Sequence, residues 1–143
     1  MESTESFDVA DKPRQWLYLC SDGAYEMRSG RAVWAWVAYD QDGVELARQS
    51  GSIEPQSPNR GSTEAECAAF DAALAWAAAR GDHAVMCTDC QYVVKYAHES
   101  GATRRRRFPR AIVRQVSRDR VQEAHRMCRD LLVPRVKPDL VPA

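Results

Sequence analysis

Residues 62 to 96 read STEAECAAFDAALAWAAARGDHAVMCTDCQYVVKY, and the fold turns on how this stretch divides. Ser62-Thr63 is a helix-opening pair, with an acid, Glu66, in the first turn that follows. Ala65, Ala68, Ala69, Ala72, Ala75, Trp76 and Ala79 recur at i, i+3, i+4 and i+7, which predicts a helix over about 63–80 and an inner face made mostly of alanine. So small a face implies close packing against a sheet. Gly81 ends the helix. Ala84 to Cys87 is a short apolar run that reads as a strand, and it delivers Asp89 to the start of a second helix, Gln91 to His98. Strand, long helix, strand implies a right-handed parallel crossover.

Upstream, Trp16 to Cys20 (WLYLC) reads as a strand, with Asp22-Gly23 directly behind it. Asp-Gly is also a strong turn dipeptide, and Ala24 to Arg31 is polar enough to extend such a turn. In Ala32 to Tyr39 both alternating sets are apolar, so both faces are expected to be covered. Asp40 to Gly43 is a hairpin turn, and the more polar Val44 to Gly51 is its return strand near an edge. Ser52 to Gly61, with Pro55 and Pro58, is a connector. Downstream of residue 98, Gly101 to Arg110 is a basic loop and Ala111 to Val116 a fifth strand. Asp119 to Leu132 is a closing helix with Val121, Ala124, Cys128 and Leu131 inward. The order is βββαβαβα: an α/β fold with a five-stranded mixed sheet and helices on both faces. One domain is expected over 14–133, with a disordered acidic tail before it (1–13) and a second tail after it (134–143).

Composition narrows the partners. Formal net charge is zero, from 20 basic and 20 acidic residues, but the charges are unevenly placed. Thr103 to Arg120 holds eight Arg against one Asp, a local net of +7, while residues 1 to 11 carry Glu2, Glu5, Asp8 and Asp11 with no base. Such a segment suits a polyanion. Arg104, Arg105, Arg106 and Arg107 read either as a clamp for phosphates or as a solvated loop. An odd number of cysteines, five, with no leader pattern before them points to a reducing, cytosolic compartment. No apolar run is long enough to span a bilayer, which argues against a membrane partner.

The acids carry the chemistry. If the fourth strand lies parallel beside the first, Asp22 and Asp89 leave the same sheet edge, where α/β sheets bind ligands, and Glu66 faces them from the crossover helix. Three carboxylates there repel one another unless a hard cation intervenes. Mg²⁺ suits such oxygen ligands and shares its shell with phosphate. Two such ions about 4 Å apart can activate a water and stabilise a leaving alkoxide.

Ser21-Asp22-Gly23-Ala24, Ser62-Thr-Glu-Ala-Glu66, Thr88-Asp89-Cys-Gln-Tyr-Val93 and Val116-Ser-Arg-Asp-Arg-Val-Gln-Glu-Ala-His125, in this order on this topology, resemble the type 1 ribonuclease H family across Trp16 to Leu132. The resemblance implies that Asp22, Glu66 and Asp89 are the metal-binding acids. His125 falls at a fourth catalytic position, usually Asp and in some branches His. It further implies two Mg²⁺ (or Mn²⁺) ions and hydrolysis of the RNA strand of an RNA–DNA hybrid to 5′-phosphate and 3′-hydroxyl ends. Ser62 and Thr63, where many members have an Asn pair, and Gln91 fall at substrate-contacting positions. The family usually has one or two further helices between the second helix and the fifth strand. Here residues 99 to 110 fill that space, so substrate grip is expected to be reduced, moved onto Arg104 to Arg107, or supplied by a partner subunit.

Other readings stand beside this one. Glu66 three residues after Thr63 also fits a capping box. Asp89 also fits a plain helix cap, Asp22 a turn former and His125 a solvated histidine. Glu64 reads as solvated and Glu123 as a residue able to reach the site rim. Cys87 and Cys90 form a C-x-x-C between strand and helix, as a redox protein would use. A ribonuclease H fold kept as a nucleic-acid-binding or assembly module with little activity is the second functional hypothesis. The oligomeric state is open.

Overall fold

The computed structural model describes residues 16–80, 83–99 and 111–133. The tails assigned to 1–13 and 134–143, and the arginines Arg104, Arg105, Arg106 and Arg107, lie outside the described residues. The elements are β1 (Trp16–Glu26), β2 (Arg31–Tyr39), β3 (Glu45–Ile53), α1 (Gly61–Arg80), β4 (His83–Thr88), α2 (Gln91–Glu99), β5 (Ala111–Gln115) and α3 (Gln122–Leu132). Short 3₁₀ turns at Pro58–Arg60 and Arg118–Val121 lead into α1 and α3.

The sheet order is β3-β2-β1-β4-β5. β1–β2 and β2–β3 are antiparallel, while β1–β4 and β4–β5 are parallel. The mixed five-stranded sheet with βββαβαβα order is therefore present as expected. Both faces are covered. Against one face, Leu17, Leu19, Trp36 and Met86 pack with Phe70, Ala73, Leu74 and Ala77 of α1 and Val93 and Ala97 of α2. Against the other, Val33, Ala35 and Val37 pack with Ala124 and Cys128 of α3. Cys20, Val85 and Cys87 pack with Val121 on that same side. Among the described residues, no helix is long and apolar enough to cross a membrane.

Two features depart from the sequence reading. The first strand does not stop before a turn at Asp22-Gly23. It runs on to Glu26, with Asp22 paired to Ala35 and Gly23 to Trp34. β2 supplies an unbroken antiparallel partner, and that long-range pairing overrides the local turn preference of the dipeptide. The inner face of α1 is also rotated from the predicted one. Ala65, Glu66, Ala69, Phe70, Ala73, Leu74 and Ala77 are buried, whereas Ala75 and Ala79 are exposed. Alanine lies all round this helix, so spacing alone does not choose a face. Phe70 and Leu74 choose it, because burying their larger apolar surface is worth more. The hairpin at Asp40 forms as expected, with Asp40 Oδ1 accepting from the Asp42 and Val44 amides at 2.8 and 2.9 Å.

Candidate active site

The parallel ladder between β1 and β4 ends at Ser21–Thr88, so Asp22 and Asp89 are the next residues on adjacent strands. Glu66, in the second turn of α1, completes the group. One oxygen from each of Asp22, Glu66 and Asp89 lies within 4.8 Å of the others. Glycine makes this convergence possible. A Cβ on Gly23 would stand 2.5 Å from the Ala65 carbonyl carbon and 2.5 Å from the Glu66 nitrogen. Only a residue without a side chain lets α1 come this close to β1. Two residues on, the Tyr25 ring lies against Gly61, where a Cβ would meet it at 2.5 Å. The first turn of α1 is thus seated on β1 at two points.

Asp22 and Glu66 are buried, and the Asp89 side chain is only 11% exposed. Burial, and then the charges of Asp22 and Asp89, push the Glu66 carboxyl up to about 9. Burial also raises Asp22, although the hydrogen bond from His125 opposes it. Glu66 Oε1 is a buried oxygen with no hydrogen-bond partner among the described residues. A buried, partnerless carboxylate oxygen is costly. Here it belongs to an all-oxygen donor set carrying mutual repulsion, and a hard divalent cation relieves both costs. The residues present fit such an ion.

Two basic groups border the acids. His125 Nδ1 lies 2.9 Å from Asp22 Oδ2, with the His125 side chain 32% exposed. The Arg118 Nε donates to Asp89 Oδ2 at 3.0 Å while the rest of that side chain stays in solvent. Cys128 anchors α3 beside them, its thiol donating to the Asp22 carbonyl at 3.5 Å.

The structure therefore brings Asp22, Glu66, Asp89 and His125 together. Ser62 and Thr63 sit one turn before Glu66 on α1, and Gln91 is the first residue of α2, two beyond Asp89. Thr63 lines a cleft of about 350 Å³ with Arg60, Tyr92 and Tyr96. Gln91 lines one of about 520 Å³ with Tyr92, Lys95 and Gln115. A capping box is not the role of Glu66. α1 begins at Gly61, so Thr63 is already inside the helix, and Glu66 points to the acids. Glu64 is not merely solvated, since its Oε1 accepts from the Gln56 amide at 2.8 Å. Glu123 pairs with Arg48 and Arg126. Nor is Cys87–Cys90 a paired motif: Cys87 packs with Val121 on the α3 face, and Cys90 packs against the core on the α1 face. Arg118 went unrecognised from sequence except as one of the eight arginines of the basic stretch. An exposed side chain at the end of a loop leaves no periodic signal.

Residues 14–134 match the family model for RNase H. Solved structures share the fold. A ribonuclease H1 isolated from compost by a metagenomic approach, solved in complex with an RNA/DNA hybrid, has 17% identity and a TM-score of 0.66, covering 80% of this chain and 94% of that one. The ribonuclease H1 of the halophilic archaeon Halobacterium salinarum has 25% identity and a TM-score of 0.61, covering 80% and 98%. The N-terminal RNase H domain of a Mycobacterium tuberculosis protein has 22% identity and a TM-score of 0.65, covering 81% and 92%. No curated protein sequence matches significantly.

Proposed function

This chain belongs to the RNase H family, and from that membership we propose that it hydrolyses the RNA strand of RNA–DNA hybrids in a divalent-cation-dependent reaction that leaves 5′-phosphate and 3′-hydroxyl ends. The observation that carries the reading is the convergence of Asp22, Glu66 and Asp89 around a buried Glu66 oxygen with no partner among the described residues. Nothing in the packing of the sheet calls for three carboxylates at that point.

Asp22, Glu66 and Asp89 would hold Mg²⁺, or Mn²⁺ in its place, as one ion or two. When bound, the cation supplies an activated water and charge stabilisation for the leaving 3′-oxygen. The remaining work falls to the chain. His125 orients the Asp22 carboxylate from one side and keeps part of its ring in solvent, so it can pass a proton between the site and bulk water. Arg118 supplies a countercharge to Asp89, and its largely exposed guanidinium offers further N–H donors to a backbone phosphate. Ser62, Thr63 and Gln91 present hydroxyl and amide groups to the hybrid beside the acids. Arg104, Arg105, Arg106 and Arg107 neutralise its phosphates, which makes binding salt-dependent. Among the described residues no cysteine is in a disulfide, and the setting proposed for the chain is reducing and cytosolic.

The test is incubation of the protein with end-labelled hybrid in Mg²⁺, in Mn²⁺ and in chelator, followed by analysis of the product ends. Cation-dependent RNA fragments bearing 5′-phosphates support the reading. Fragments with 3′-phosphates, or cleavage unaffected by chelator, would overturn it.

A further inference from the structure

The cysteine whose position matters for Cys87 is not Cys90 but Cys20. The two are register partners on adjacent parallel strands, Cys20 of β1 opposite Cys87 of β4. Their side chains lie on the same sheet face, in one cluster with Val85 and Val121. Both are free thiols, at 8% and 9% exposure, so the pair is covered but not sealed. Its cover is Val121, the last residue of the Arg118–Val121 turn, whose other three residues are exposed. Arg114 and Arg120 place positive charge beside the pair.

Neighbouring strands run about 4.8 Å apart, inside the Cα separation of about 4.4–6.8 Å that a disulfide bridges. A disulfide wants its Cβ atoms closer, at about 3.8 Å. Closing the bridge therefore brings the two Cβ atoms together by roughly 1 Å and strains β1 and β4 at this rung. Two residues further along, Asp22 stands on the same face of β1, and Asp89 directly follows the end of β4. We propose that Cys20 and Cys87 form a reversible disulfide under hydroperoxide, and that this bond deforms the acid cluster two residues away so that it holds a divalent cation less well. The second half of this statement rests on the cation site proposed above; the first does not.

The chemistry balances with a hydroperoxide as the oxidant. One thiol takes an oxygen atom from the peroxide, giving a sulfenic acid and releasing water or the corresponding alcohol. The other sulfur then attacks the sulfenic sulfur, forming the S–S bond and expelling the hydroxyl group, which leaves as water with the second thiol's proton. A dithiol reductant reverses the bond by exchange, and a strained bridge yields readily.

The experiment uses the full chain without added cation, treated with hydrogen peroxide. Intact mass, free-thiol titration, peptide mapping and Mn²⁺ affinity by electron paramagnetic resonance are then measured, none of which needs nuclease activity. The expected result is loss of two hydrogens in mass and a fall from five free thiols to three. The linked peptides should contain Cys20 and Cys87, and Mn²⁺ binding should weaken at least about tenfold, with every change reversed by dithiothreitol. Cys20→Ala should abolish the loss of thiols, and Cys67→Ser/Cys90→Ser should not. Cys20 and Cys87 remaining as thiols while Cys67 or Cys90 is oxidised would overturn the proposal. A mapped Cys20–Cys87 bond with unchanged Mn²⁺ affinity would overturn the coupling to the acids. Failure of the untreated protein to bind Mn²⁺ would instead overturn the cation site itself.

Discussion

Gly23→Ala is the sharpest perturbation of the site, because it adds one methyl group and leaves all three carboxylates in the sequence. The new Cβ would stand 2.5 Å from the Ala65 carbonyl carbon and the Glu66 nitrogen and 2.8 Å from the Ala65 oxygen, where ordinary contact begins at 3.4 Å. The shortfall is 3.4 minus 2.5, or 0.9 Å. Every atom in the way is backbone, so no rotamer change relieves it, and the start of α1 must move off β1 by about that distance. Overpacking of this kind costs about 1–3 kcal/mol in stability. Glu66 rides on the displaced residue, and a misplacement of about 1 Å at a reacting centre can cost about a hundredfold in rate. Urea unfolding and hybrid cleavage at saturating Mg²⁺ measure the two effects. Gly43→Ala is the control: Gly43 has φ of 83° and open space around it, so alanine there should lower stability but leave cleavage rates alone. Wild-type cleavage and stability in Gly23→Ala would refute the claim that the glycine sets the position of Glu66.

Glu66 gives a pH signature. Its folded pKa is raised from 4.5 to about 9, so the unfolded chain releases this proton first and the cation-free protein should lose stability as pH rises through that window. Thermal melts in chelator should show the decline, Glu66→Gln should flatten it, and added Mg²⁺ should stabilise more at pH 9 than at pH 5. His125→Ala removes the hydrogen bond that opposes the burial-driven rise of the Asp22 carboxyl. Cleavage should fall by about 10–100-fold, as for other groups that orient a metal ligand, while hybrid affinity in a gel-shift assay stays unchanged. Phe70→Ala, at the centre of the α1 face, should cost about 3–5 kcal/mol in a urea melt.

What sequence could supply follows from the range of the interactions involved. The meeting of Asp22, Glu66 and Asp89 was legible because the first two sit in regular elements and Asp89 directly follows one, and the topology of those elements follows from hydrophobic period and crossover handedness. The extension of β1 through Asp22-Gly23 was not legible. The same two letters encode a turn locally, and only pairing with Ala35 and Trp34, a dozen residues away, decides otherwise. The buried face of α1 was blurred because alanine carries too little apolar area to mark a side. Arg118 reaches Asp89 from 29 residues away with an exposed side chain, an ion pair that sequence spacing cannot announce. Cys87 found its true neighbour in Cys20 through strand register rather than in Cys90 through proximity in the chain.

The central claim is that these three carboxylates make the chain a cation-dependent nuclease for hybrids. Its most direct test is cleavage of a hybrid labelled on the RNA strand across a Mg²⁺ and Mn²⁺ titration, wild type beside Asp89→Asn, with hybrid binding followed in parallel. The account predicts cation-dependent cutting of the RNA strand by the wild type, and retained binding without cutting by Asp89→Asn. Binding without cutting by the wild type, in either cation, would contradict it and leave a nucleic-acid-binding module in its place.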